Sequence, residues 1–340
     1  MSPSRNIAFK QQRGVALIMA ILIVALATIL AVSVASDGYM DQRRASVAFA
    51  VDQAYEAALG GEALAANALS FAQQQKQTQG QQATDDLTNI WAKPQTLPIE
   101  DYGEIRGNIE DLQGRFNLNN LVNATGVIDP AILTQFTNLL AALQMDTRWA
   151  GIIADWIDRD NNPNFPDGAE DSVYSLLTPQ YFAANRPLLH TSELLAVVDG
   201  AGKPFGLENY QKLEPFVTAL PIDTPLNVCT APPEVLASLG DMTNRGQELI
   251  TASARTNIAE GRKAGCYTTI SYIRNIFQTQ DKTYDTLVQQ HGNYLAEQSK
   301  FFRANIFVTL GTTEIAMYSV LQRTGNGTTV HVISRSFGSP

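Results

Sequence analysis

The amino-acid sequence predicts an α+β protein with one long N-terminal helix, an antiparallel β-sheet and a large inserted α-helical domain. Three observations lead to this prediction. An uncharged apolar run passes without proline into an alanine-rich stretch near the N-terminus. Strand-like alternation occurs in two separate places, near residue 105 and at the C-terminus. A helical spacing of apolar residues fills most of the long region between those two places.

Length and charge limit the possible functions. The chain has 340 residues, enough for two domains, and 45% of them are hydrophobic, as in an ordinary globular protein. Residues 1–14 carry Arg5, Lys10 and Arg13 and no acidic residue, so their removal would change the net charge from -9 to -12. An acidic body argues against nucleic-acid binding, because phosphates are bound by surfaces rich in Lys and Arg.

The long helix is predicted in two parts. Residues 15–36 contain no charged residue, and a helix of that length spans about 33 Å, enough to cross the hydrocarbon core of a membrane. The run is too long for the apolar core of a cleavable signal peptide, and the basic leader 1–14 predicts a cytoplasmic N-terminus. Residues 37–72 continue as an amphipathic helix. Its apolar stripe comprises Val47, Val51, Ala54, Ala58 and Leu59.

Two β regions flank the predicted α-domain. Residues 73–116 begin with a glutamine-rich connection and contain the first strands, within the alternating segment 102–119. Residues 296–340 predict three further strands with turns at residues 311–312 and 325–327. The domain between them, 117–295, shows helical patterns in the segments 131–144, 147–158, 189–198, 232–241, 246–256 and 267–277.

The most chemically distinctive stretch is the acidic loop 155–171. Alternating acidic and amide residues followed by Pro163, Pro166 and Gly168 indicate a tight loop that directs several oxygens inward. Such oxygens suit Ca²⁺, which takes six to eight of them, better than Mg²⁺, which keeps more of its water. The spacing is not that of an EF-hand, and a solvated acidic loop is the alternative. The candidate ligands are Asp158, Asp160, Asn162, Asp167, Glu170 and Asp171.

Two further features belong to the predicted α-domain. Cys229 and Cys266 could form a disulfide in an oxidising compartment, or could both be buried free thiols. Residues 226–250 look like half of a helix-hairpin-helix motif, which places the domain among helix-hairpin-helix or SAM-like scaffolds. Their hairpin has one glycine and an aspartate, which favours a structural scaffold over DNA binding.

A basic leader that ends in Gly14, followed by an apolar helix that runs on into an amphipathic one, resembles a type IV pilin or a type II secretion pseudopilin. The resemblance implies that a prepilin peptidase cleaves between Gly14 and Val15 and methylates Val15. The family usually has Phe or Met at that first position, so Val15 is a departure. Met19 occupies the fifth mature position, where the family normally has Glu.

The missing glutamate and the large helical insertion resemble the K-type minor pseudopilin. That resemblance implies Ca²⁺ bound in the α-domain by the acidic loop. It also implies a non-enzymatic subunit that caps the pseudopilus tip with the I-, J- and H-type minor pseudopilins. The expected location is the Gram-negative inner membrane, crossed once, with the body in the periplasm. The secretin and secreted substrates are further expected partners.

Two other function classes compete with this interpretation. One is a signal-anchored periplasmic calcium-dependent enzyme or adhesin, and the other is a DNA-uptake protein. The sequence contains no G-x-S-x-G, H-E-x-x-H or P-loop motif, and its three histidines, His190, His291 and His331, are far apart in unrelated contexts. We therefore expect no catalytic activity.

Overall fold

The computed structural model describes residues 15–78, 84–99, 103–163, 168–243, 245–262, 265–266, 282–325 and 327–339. Within them the predicted α+β fold is confirmed. A long N-terminal helix packs on a five-stranded sheet, and a helical insertion lies between the second and third strands of that sheet in chain order.

Helix α1 runs from Val15 to Thr78 and therefore continues past the predicted end at residue 72. Within it, an 18-residue window has a mean hydropathy of 3.1 and contains no buried residue. By length and composition, α1 could cross a membrane.

Only the C-terminal part of α1 packs against the sheet. Its buried residues are Ala54, Ala58, Gly61, Glu62, Leu69, Ala72 and Gln73. Small residues bring the helix close: a Cβ at Gly61 would lie 3.0 Å from Cγ2 of Ile306. Val47 and Val51, which belong to the same predicted stripe, are exposed, because within the described part of the chain the sheet covers the helix only from Ala54 onward.

The sheet is antiparallel, and its strand order is β1-β2-β7-β8-β9. These strands are β1 (Gln95–Ile99), β2 (Gly103–Asp111), β7 (Phe301–Leu310), β8 (Thr313–Thr324) and β9 (Thr329–Phe337). The predicted pairing of strands from both flanks is confirmed, since β2 pairs with β7 from Gly103 opposite Leu310 to Asp111 opposite Phe302. The predicted turn at residues 311–312 is present, with a positive φ angle at Gly311. At the second predicted turn, Gly325 and Gly327 have positive φ angles, and Asn326 lies outside the described residues.

The segment 102–119 is only partly a strand. After Asp111 the chain enters a 3₁₀ helix, Leu112–Gly114, because the Asp111 carboxylate accepts a hydrogen bond from the Gln113 amide and caps it. A two-residue strand, β3 (Phe116–Asn117), then pairs in parallel with β4 (Val217–Thr218). The alternation seen in the sequence therefore covers two elements rather than one.

The insertion is largely helical and has its own core. Its helices are α2 (Pro130–Ala142), α3 (Trp149–Ile157), α4 (Asp171–Tyr174), α5 (Gly206–Leu213), α6 (Pro233–Ser238), α7 (Arg245–Ile250), α8 (Ala252–Arg262) and α9 (Lys282–Gln290). A short parallel pair, β5 (Leu226–Asn227) and β6 (Leu295–Ala296), closes it. Phe116 and Phe136 stack at the centre of the core. The predicted helical segment 267–277 lies outside the described residues.

Segment 189–198 differs from its prediction, since only Thr191–Ala196 is helical and its geometry is 3₁₀. The helix ends there because Tyr181 donates a hydrogen bond to the Ala196 carbonyl and Val198 forms a β-bridge with Pro204. Both contacts draw the chain into an extended path.

The structure joins Cys229 and Cys266 in a disulfide, with their Cα atoms 4.7 Å apart. Cys229 lies just before α6 and Cys266 just after α8. The bond therefore links the start of the helix pair α6–α7 to the end of α8.

A buried polar network connects the insertion to the sheet. Asn227 donates from its side-chain amide to Asp111 and Ser299, and it also donates to the main-chain carbonyl of Asp85. Arg323 donates to the Asp85 carboxylate and to the Ser299 carbonyl. All five residues are less than one-tenth exposed, so each polar group depends on the others for its hydrogen bonds.

Candidate metal centre

Helix α3 fixes the first side of the candidate site. Eight of its nine residues are buried, from Trp149 to Ile157, so packing fixes the orientation of the helix. Asp158 follows as the C-terminal cap, and its amide donates to the Ala154 carbonyl at 2.9 Å. The carboxylates of Asp158 and Asp160 therefore extend from the end of a rigid element.

The second side is the start of α4. Tyr174 is fully buried and its ring packs on Trp156, with centroids 5.0 Å apart. The Glu170 carbonyl accepts hydrogen bonds from the amides of Val173 and Tyr174, which places Glu170 at the N-terminus of this short helix. The aromatic contact thus brings Glu170 towards the end of α3.

The two sides meet in a cluster of three carboxylates. One oxygen from each of Asp158, Asp160 and Glu170 lies within 4.8 Å of the others. Asp158 and Glu170 are 3% and 1% exposed, while Asp160 is exposed. Oδ1 of Asp158 and both carboxylate oxygens of Glu170 are buried and have no hydrogen-bond partner among the described residues. Buried acceptors without partners cost free energy, so this cluster is unfavourable on its own.

The same cost raises the pKa values of two carboxyl groups in the cluster. Burial, followed by the charges of Asp155 and Asp160, raises the pKa of Asp158 to about 7. Burial, followed by the charge of Asp158 and its acidic neighbours, raises the pKa of Glu170 to about 8. Ionisation of either carboxyl group is therefore unfavourable in this buried, acidic environment.

A divalent cation would remove both penalties. Oxygens that bind one Ca²⁺ lie about 2.3–2.6 Å from it and hence at most about 5 Å from each other, and the cluster meets this limit. The residues therefore fit a hard cation with carboxylate ligands, and the exposed side at Asp160 leaves a route for water and for the ion.

The other predicted ligands have different positions. Oδ1 of Asp171 accepts a hydrogen bond from the Ala183 amide, and the Asp171 amide donates one to Oδ1 of Asn161. Asn162 is exposed, and its amide donates to Asp160. Asp167 lies outside the described residues. The structure thus gathers three of the six predicted ligands, and Asp171 uses at least one oxygen to bind the segment that follows α4.

Asn185, which the sequence analysis did not single out, lies next to α3. Its amide donates to the Trp156 carbonyl at 3.0 Å, and its side-chain Oδ1 is buried with no partner among the described residues. The residue has a positive φ of 45°, which asparagine tolerates better than most residues. No spacing rule links Asn185 to the acidic loop, because it lies beyond α4.

The anchor residues occupy the start of α1. Val15 is its first residue, Met19 lies one turn further on, and both are exposed. Gly14 lies outside the described residues. The first carboxylate along the helix is Asp37, beyond the apolar run.

Comparison with known proteins decides the family. Type II secretion system protein K of Pseudomonas aeruginosa is 35% identical over 334 residues, which cover 96% of this chain and 93% of that protein. This chain belongs to the type II secretion system protein K family. The protein K of Klebsiella pneumoniae is 31% identical over 96% of this chain. The family model for type II secretion system protein K matches residues 114–222, which include the carboxylate cluster.

A solved structure shares the fold. A chain in the crystal structure of the GspK-GspI-GspJ complex from the type 2 secretion system of enterotoxigenic Escherichia coli matches with a TM-score of 0.70 at 24% identity. The match covers 87% of this chain and all of that chain. It confirms the α+β fold, and the family assignment gives no support to an anchored calcium-dependent enzyme or adhesin.

Proposed function

We propose that this protein K caps the tip of the periplasmic pseudopilus as a non-enzymatic minor pseudopilin. The observation that carries the proposal is Met19, an exposed apolar side chain at the fifth position of a helix whose first carboxylate is Asp37. A carboxylate in an apolar span is costly unless it is paired. A subunit without one avoids this cost and cannot bind the N-terminal amine of a neighbouring subunit, which suits the end of a fibre.

The exposed stretch of α1 supports packing against partner helices. Val47, Phe49 and Val51 are between 42% and 63% exposed, although they lie on the periplasmic part of the predicted helix. Exposed apolar side chains of this kind indicate a surface that other helices cover. The solved relative is in a complex with GspI and GspJ, which supports the I- and J-type subunits as the covering partners here. In this proposal the H-type subunit is the next in the fibre.

Processing and location follow from the same helix. The chain is cleaved by prepilin peptidase between Gly14 and Val15, methylated on Val15, and anchored once in the inner membrane with its body in the periplasm. A disulfide between Cys229 and Cys266 supports an oxidising compartment for that body. From the tip, the insertion is positioned to meet secreted substrates and the secretin.

The histidines support a non-enzymatic role. His190 caps the 3₁₀ helix that starts at Thr191, and its Nδ1 accepts a hydrogen bond from the Ser192 amide. His291 lies 3.0 Å from the Asp129 carboxylate, which caps α2. Each of these two side chains is used by the local fold, and Nδ1 of His190 also lies 2.8 Å from the Ser192 hydroxyl within the same cap.

The carboxylate cluster is part of the proposal as a structural Ca²⁺ site. Asp158, Asp160 and Glu170 would hold the ion, with the remaining oxygens from the loop 155–171 and water. The bound ion would neutralise carboxylates that the fold buries without partners, and so stabilise the loop between α3 and α4. In this proposal its role is structural, because the ion would join the end of α3 to the start of α4.

Chelation tests the cation site. At a Ca²⁺ concentration about 100 times the Kd, binding stabilises the folded protein by about 2.7 kcal/mol. Removing Ca²⁺ with EGTA should therefore lower the melting temperature by several degrees. The variant Asp158→Asn with Glu170→Gln should lose this response, whereas Asp199→Asn, in a turn outside the loop, should keep it. An unchanged melting temperature of the wild type would leave only an acidic loop.

Partner assembly tests the tip role. The full-length protein, co-expressed with the I- and J-type subunits and extracted in mild detergent, should purify as a complex with one copy of each. Sheared pseudopili should contain this protein at about one copy per fibre. Repeated incorporation along the fibre, in amounts close to those of the major subunit, would contradict a capping role.

A further inference from the structure

The two carboxylates that follow α3 flank Arg159, and this residue is fixed from outside the acidic loop. The Arg159 amide donates to the Gly126 carbonyl at 3.0 Å. Gly126 lies more than thirty residues earlier, in the hairpin of residues 122–128 that precedes α2. The turn bearing Asp158 and Asp160 is therefore attached to a separate element.

That hairpin is closed by several hydrogen bonds. Val122 and Ile128 form an antiparallel bridge, and the Asn123 amide donates to the Val127 carbonyl at 2.9 Å. Oδ1 of Asn123 accepts from the Thr125 amide, the Thr125 hydroxyl and the Val127 amide, at 2.9, 2.6 and 3.1 Å. One side-chain oxygen thus organises the whole loop, which makes the hairpin a defined support.

Gly126 is the contact point, and only glycine fits there. Its φ angle is +83°, which disfavours any residue with a Cβ. An added Cβ would lie 2.4 Å from Cγ and 2.6 Å from Cδ of Arg159. The aliphatic part of the Arg159 side chain therefore lies directly on the glycine backbone, beside the hydrogen bond between the two main chains.

We infer that the hairpin of residues 122–128, with Gly126 as its positioning residue, sets the calcium affinity of the carboxylate cluster. The inference rests on the cation site proposed above. The hairpin holds the backbone of Arg159 and so sets the directions of Asp158 and Asp160 towards Glu170. Residues that orient metal ligands without touching the metal change affinity by about 10–100-fold when they are altered.

Calcium titration of the full-length protein in detergent, by isothermal titration calorimetry, tests the inference. Gly126→Ala must displace Arg159 and should weaken Ca²⁺ binding at least tenfold. The matched control is Gly151→Ala, within α3, where an added Cβ meets no atom within 4 Å outside its chain neighbours and the adjacent helix backbone. The affinity of this variant should stay within twofold of the wild type. Equal affinity of Gly126→Ala and the wild type would overturn the inference and leave the cation site standing.

A second variant and a second measurement separate positioning from folding. Asn123→Ala adds no atom and loosens the hairpin at an exposed position, so it should fold and still bind Ca²⁺ several-fold more weakly. Melting in EGTA reports the fold without the ion. If either variant lowered that melting temperature but kept the wild-type Kd, the hairpin would be structural only. If the wild type bound no Ca²⁺, the proposed cation site would fail first and the inference with it.

Discussion

Replacement of Arg323 by methionine should destabilise the sheet domain strongly. The guanidinium and the Asp85 carboxylate form an ion pair in which each side chain is only 3% exposed. Arg323 also donates to the Ser299 carbonyl at 2.8 Å and to the Gln73 side chain at 3.3 Å. Methionine keeps much of the volume but removes all three interactions.

The expected size follows from what Arg323→Met leaves behind. Asp85 would keep one hydrogen bond, from the Ser299 amide. It would lose its ion pair with Arg323, the only one that Asp85 forms within the described residues. Breaking a buried pair by removing one partner costs about 3–5 kcal/mol, because an uncompensated charge stays in the interior. The double variant Arg323→Met with Asp85→Asn should recover a large part of that loss.

Urea unfolding of the full-length protein in detergent, followed by tryptophan fluorescence, measures the effect. Trp91 suits this assay because its ring packs 5.2 Å from Phe302, the ring beneath the Arg323 guanidinium. The control is Arg106→Met, in an exposed pair with Glu104 on the same sheet, which should cost less than about 1 kcal/mol. If Arg323→Met cost no more than this control, the network would not join the two domains as described.

Three further predictions concern other contacts. Replacing Cys229 and Cys266 by serine opens a loop with a sequence separation of 37 and should lower the free energy of unfolding by about 4 kcal/mol, measured by thermal melting; equal melting would contradict it. Burial raises the pKa of Asp111 to about 6, so its contribution to stability should fall by on the order of 3 kcal/mol as the pH rises from about 4 to about 6. The difference in the free energy of unfolding between the wild type and Asp111→Asn should therefore change only within this pH window. A difference that stays constant across the window would refute the assignment. Glu62→Gln weakens two hydrogen bonds from Arg335 to a buried carboxylate and should cost about 2 kcal/mol in urea unfolding, whereas no loss would show that β9 is not held there.

Local signals explain what the sequence could predict. The apolar run after residue 14 and the absence of proline predict α1, and Asp129 with Pro130 marks the start of α2. The turn glycines at 311 and 325 mark the C-terminal strands. The alternate positions of Asp158 and Asp160 predict that their carboxylates point in the same direction, because both residues belong to one short turn.

Long-range contacts explain the features that the sequence could not predict. Ser319 and Arg335 meet Glu62 across more than 250 residues, and nothing in the local pattern of any of them signals this contact. The same holds for Gly126, whose neighbour Arg159 comes from another element. Asp171 has the same local pattern as the cluster residues, yet a hydrogen bond from Ala183 uses one of its oxygens. Such assignments depend on how separate elements pack, which spacing alone does not encode.

The mature N-terminus tests the central claim most directly. Intact mass and N-terminal peptide spectra of the protein from inner membranes should show a chain that begins at N-methylated Val15, and Gly14→Ala should accumulate with its leader attached. A wild-type chain that begins at Met1, or one cut near residue 36, would contradict processing as a pseudopilin and with it the proposed place at the pseudopilus tip.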